Sequence, residues 1–117
     1  MPIIHISDAP SEEGYPGVNR AVLVDARNGA LSLYIGYLTI GPGGTVTTHI
    51  HPDTEEAMVI VEGHLEAILG DEVVNLGPGD TVLAPGGVKH GFVNRSSSTA
   101  TLVAAFPKTS FQRVSVD

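Results

Sequence analysis

The sequence predicts an all-β protein, an antiparallel sandwich or barrel. Three observations carry that expectation. The 14 glycines and 8 prolines of this 117-residue chain are spread along its whole length. Between them lie short runs rich in β-branched and aromatic residues. No stretch holds a 3.6-residue apolar period beyond about two turns.

Each element follows from the same punctuation. "PSEEGYPG" (10–17) reads as a helical turn at most, limited by Gly14 and Pro16. "ALSLYIGYLTI" (30–40) reads as a strand closed by "GPGG" (41–44). Tyr34 and Tyr37 within it have opposite parity, so only one of them faces inward. "TVTTHIH" (45–51) alternates and stops at Pro52. "EEAMVIVEG" (55–63) runs into "HLEAILG" (64–70), and "EVVNLGPGD" (72–80) into "TVLAPGG" (81–87). "HGFVN" (90–94) precedes a polar "RSSS" loop, and "TATLVAAF" (99–106) reads as a last strand.

Length and composition bound the rest. A chain of 117 residues suits one domain, 1–117, with one core. Apolar residues are 42% and charged residues 16%, which permits a core and argues against disorder. The net charge of −7 repels phosphate backbones and anionic membranes, so neither a nucleic acid nor a membrane is an expected partner. The absence of cysteine excludes disulfides, thiolate metal sites and cysteine nucleophiles. "MPIIHISDAP" lacks the basic start and apolar run of a signal peptide. No apolar run approaches the roughly 20 residues that cross a bilayer. The expectation is a cytoplasmic protein.

Chemistry concentrates in "THIHPDTEEAMVIVEGHL" (48–65). On a strand, residues two apart share a face, about 7 Å apart. His49 and His51 therefore point the same way and can converge on one ion, as imidazoles do for zinc, iron, nickel and copper. A pair beside a proline turn can also be two solvated histidines. His90, after a glycine-rich turn at the start of another strand, adds a third imidazole. Glu56 adds a carboxylate from the strand after "PDT". Other signatures fail: there is no phosphate loop and no serine elbow. Arg20, Arg27, Arg95 and Arg113 are scattered, and spacing does not select one to hold a carboxylate substrate.

At this point the sequence resembles the cupin superfamily, whose two motifs are present in full. The first is Gly43, "GTVTT", His49-Ile50-His51, "PDTE", Glu56, "AMVIVE", Gly63. The second is Gly79, "DTVLA", Pro85-Gly86-Gly87, "VK", His90, "GFV", Asn94. The resemblance implies a small jelly-roll β-barrel of two antiparallel sheets. It implies one divalent transition metal ion (Fe, Mn, Ni or Zn) held by His49, His51, Glu56 and His90. Glu55 competes with Glu56, because the motif tolerates either spacing. The six-residue gap to Gly63 selects Glu56, and Glu55 has the opposite parity.

Met58 shares parity with Glu56, and Phe92 with His90. They are the candidate substrate-binding residues of an apolar pocket beside the metal, and equally candidates for plain core, as is Ile60. Asn94 shares His90's parity and reads as an orienting or a strand-end residue. His5 and His64 join neither motif and are read as structural.

With open positions on the metal, the implied function is a metal-dependent enzyme of dioxygenase type on a small enolic or aromatic substrate. Glu56 would act both as ligand and as catalytic proton acceptor. The alternatives are a sugar or keto-acid isomerase, a non-catalytic metal- or ligand-binding module, or a degenerate site. A homodimer is also expected, with "PIIHI" and "FQRVSV" pairing across a two-fold axis to cover exposed edges.

Overall fold

In the computed structural model, which describes residues 1–116, eleven strands form two antiparallel sheets. The strands are β1 (Ser11–Tyr15), β2 (Val18–Val24), β3 (Tyr34–Ile40), β4 (Thr45–Ile50), β5 (Glu56–Glu62), β6 (Leu65–Leu69), β7 (Glu72–Leu76), β8 (Thr81–Ala84), β9 (His90–Val93), β10 (Ala100–Phe106) and β11 (Val114–Ser115). A six-stranded sheet runs β1-β2-β3-β10-β5-β8, and a five-stranded sheet runs β11-β4-β9-β6-β7. The all-β jelly-roll expectation is met.

Alternation builds the interior. Along β5, Glu56, Met58 and Ile60 are buried while Val59 and Val61 are exposed. Along β10, Ala100, Leu102, Ala104 and Phe106 are buried. Residues of both sheets join one apolar cluster, with Val46, Leu65 and Phe92 facing Ile40, Met58 and Leu102. The chain crosses from one sheet to the other at Gly63. Its φ is +78°, and a Cβ there would lie 2.7 Å from Ala100 Cα, so only glycine fits both the conformation and the space.

Two expectations at the N-terminal end need correction. Residues 10–17 hold no helical turn; they form β1 and the turn of a β1–β2 hairpin. Pro16 and Gly17 sit at the two central positions of that turn, where proline's fixed φ and glycine's φ of +77° favour a reversal. "PIIHI" contributes no strand, and a short 3-10 turn covers Ile6–Asp8. At the other end, the strand within "FQRVSV" is β11, and it pairs inside the same chain with β4, Val114 opposite Ile50 and Ser115 opposite His49.

Candidate metal centre and cavity

β4 and β9 pair antiparallel with a register shift between Val46 and His49. Val46 stands opposite Phe92, whereas His49 stands opposite His90. One extra residue in β4 is the signature of a bulge. The bulge lets both Val46 and His49 face the interior although they are three apart. The close approach of β9 to the bulge needs Gly91, where a Cβ would lie 2.7 Å from Val46 O.

His49 on β4, His51 just beyond it, Glu56 opening β5 and His90 opening β9 converge. Their potential ligand atoms all lie within 4.8 Å of one another. All four side chains are buried, with exposures of 6%, 5%, 6% and 2%. Glu55 is exposed, which agrees with the parity argument.

The three rings share one orientation rule. His49 Nδ1 lies 2.8 Å from Thr47 O, His51 Nδ1 2.7 Å from Gln112 O and His90 Nδ1 3.1 Å from Val88 O. A carbonyl oxygen only accepts, so each Nδ1 is the donor and each Nε2 is turned to the common point. That arrangement orients ligating imidazoles and raises their basicity. Glu56 Oε1 sits 2.9 Å from His90 Nε2 and 3.3 Å from His51 Nε2. Three nitrogen donors and one carboxylate within this span fit a divalent transition metal ion.

Electrostatics matches the geometry. Burial pushes the His49 ring down, against the opposing pull of the Thr47 carbonyl, which favours the neutral imidazole a metal needs. For His51, burial acts downward too, but the Glu56 carboxylate and the Gln112 carbonyl outweigh it and the net shift is upward. Burial would raise the Glu56 carboxyl, but hydrogen bonds from His51 and His90 hold it below its ordinary value.

The four groups line a cavity of about 350 Å³. Met58 and Phe92 are in its wall, as expected from their parity, and both are also core residues. Tyr34 is the inward tyrosine of β3. Phe111 stacks on Phe106 with centroids 3.7 Å apart and meets Tyr34 and His51 edge-on. Arg20 and Arg113 also reach the wall. Arg20 carries the parity of Val18 on a strand that the sequence pattern did not reveal. Phe111 and Arg113 lie in "FQRVSV", which the sequence marks as a strand but not as cavity wall, and spacing did not single out Arg113 among the scattered arginines.

Asn94 is a structural residue: its Nδ2 donates to Ile40 O and Ser98 O, both at 2.8 Å. His5 and His64 are exposed and away from the cluster. No helix among the described residues is long and apolar enough to cross a membrane.

Comparisons with known proteins agree with this picture. A family model described as "Cupin domain" matches residues 36–106. Protein SchB of Streptomyces halstedii is 33% identical over 101 residues, which cover 86% of this chain and 73% of that protein. Tetracenomycin polyketide synthase protein TcmJ of Streptomyces glaucescens is 32% identical over 97 residues, covering 83% of this chain and 64% of that protein. Among solved structures, the polyketide cyclase RemF from Streptomyces resistomycificus superposes with a TM-score of 0.87 at 24% identity. That match covers 100% of this chain and 86% of RemF.

Proposed function

The chain belongs to the cupin family, and we propose that it is a divalent-metal-dependent enzyme acting on a small enolisable or aromatic carbonyl compound. One observation carries the reading. Three Nε2 atoms and one carboxylate converge on the wall of a cavity whose remaining lining is aromatic and aliphatic apart from Arg20 and Arg113. A transition metal ion held by His49, His51, Glu56 and His90 would supply Lewis acidity toward an oxygen of the bound molecule.

The chain's own residues supply the remainder. Phe106, Phe111, Met58 and Phe92 offer flat apolar surface to a carbon skeleton and keep water from it. Among the described residues Glu56 is the single carboxylate lining the cavity, which assigns the acceptance of a proton from the carbon beside a carbonyl to its carboxylate oxygens. Polyketides carry carbonyls on alternate carbons, and the methylene carbons between two carbonyls lose protons readily. The name of RemF, a polyketide cyclase, and that of TcmJ, a polyketide synthase protein, support a polyketide substrate with ring closure by internal aldol addition as the leading reaction. The dioxygenase reading stands second, supported by the three-imidazole, one-carboxylate set, which also suits iron or manganese. A keto-acid isomerase would begin with the same proton removal.

Deuterium exchange tests what these reactions share. With zinc, nickel, manganese or ferrous iron added, the methyl ketone protons of 2′-hydroxyacetophenone should exchange faster with wild type than with metal-free protein or Glu56→Gln. No acceleration with any of the four metals would sink the reading. Oxygen uptake matching substrate loss would select the dioxygenase.

A further inference from the structure

The chain has 6 basic residues against 13 acidic ones. Arg20 pairs with Glu12, Arg27 with Asp25, Lys89 with Asp71, Arg95 with Glu66 and Lys108 with Asp53. Among the described residues, Arg113 alone has no carboxylate partner. In so acidic a protein that isolation is unexpected, and Arg113 lines the same cavity as the His49–His90 cluster.

Its surroundings hold it in place without neutralising it. The guanidinium lies over the Tyr15 ring, 5.2 Å from the centroid, and Nη1 donates to Ser115 Oγ at 3.1 Å. Partial burial pushes its pKa down, with no carboxylate to offset the loss of water. Arg20, the second guanidinium on the wall, is held by Glu12, while its buried Nε finds no acceptor among the described residues. A buried donor without an acceptor costs stability unless something else supplies one.

We infer that Arg113, assisted by Arg20, is the anion-recognising residue of this cavity, and that the molecule bound is an enolic or aromatic carboxylate. This assigns a substrate class and rests on the proposed function above. The guanidinium fork matches a carboxylate's two oxygens. The apolar wall takes the ring, and the metal-ligand cluster faces the same space. A monoanion suits one unpaired guanidinium better than a phosphate dianion would.

Calorimetric titration of the full chain, with and without added zinc, tests this using benzoate, salicylate and 2-naphthoate against their neutral amides. At least one acid should bind more tightly than its amide to both forms. Arg113→Gln should weaken that acid by about tenfold or more while leaving the amide little changed. Arg113→Lys should recover part of the loss, and Arg95→Gln on the outer surface should lose none. The inference is overturned if no acid outbinds its amide, if Arg113→Gln binds acids as wild type does, or if phenyl phosphate outcompetes the acids. The metal-free arm separates the two readings: discrimination there with no deuterium exchange in the loaded protein leaves Arg113's role intact and sinks only the enzymatic one.

Discussion

His51 Nδ1 lies 2.7 Å from the carbonyl oxygen of Gln112, a residue 61 positions further along the chain. The segment after β10 therefore closes over the histidine–glutamate cluster and orients one of its rings. Asp53 anchors that segment: its Oδ1 accepts from Gln112 N at 3.0 Å and its Oδ2 from Lys108 Nζ at 2.9 Å. Asp53→Ala should weaken zinc binding by about three- to tenfold, less than loss of a direct partner of a ligand can cost. Competition with a chromogenic chelator measures it. An unchanged affinity would show that Gln112 stays in place without Asp53.

The two neighbouring glutamates should behave in opposite ways. Glu56→Gln removes the charge that faces His51 and His90, and should lower metal affinity by about tenfold or more and abolish catalysed deuterium exchange. Glu55→Gln alters an exposed side chain and should change neither. Equal effects would mean that parity along β5 does not decide which carboxylate serves.

Acid should oppose metal binding at His51. Its folded pKa is raised above 6.5, so a proton competes with the metal as pH falls through that raised value. The thermal shift caused by zinc should grow from pH 5.5 to pH 7.5. Metal-free protein should show the reverse trend at this residue: the stabilisation from protonated His51 is full below 6.5 and is lost as pH rises through the raised folded pKa. The lowered pKa of Glu56 adds stability that is present above 4.5 and lost as pH falls below it. Differential scanning fluorimetry checks the zinc-induced shift. Because the lowered His49 pKa acts in the opposite sense on the metal-free protein, an NMR titration of the His51 ring checks the metal-free trend.

Gly91 keeps β9 against the bulge of β4. Gly91→Ala puts a methyl 2.7 Å from Val46 O and should cost about 1–3 kcal/mol in denaturant unfolding. Gly14→Ala, with nothing within 4 Å of the added carbon, should be near neutral.

Much of the centre was legible because spacing fixes facing. The two-residue step from His49 to His51 and the six-residue gap from Glu56 to Gly63 carry geometry in themselves. Gly63 is required by both its φ and its contact with Ala100. The β4 bulge was not legible, because "TVTTHI" alternates smoothly and the extra residue appears only in the pairing with β9. The β1–β2 hairpin was hidden by exposed polar residues in β1, which blur the two-residue period. Arg20 was hidden with it. Phe111 and Arg113 belong to a segment positioned by long-range contacts with Asp53, His51 and Tyr15. No local pattern encodes such contacts.

The most direct test is the metal content of the full chain after dialysis against zinc, nickel, manganese or ferrous iron. At least one of these should remain at about one ion per chain in wild type and be lost in a His49→Ala, His90→Ala double variant. Retention of none by wild type, or equal retention by the variant, would contradict a metal centre built from His49, His51, Glu56 and His90.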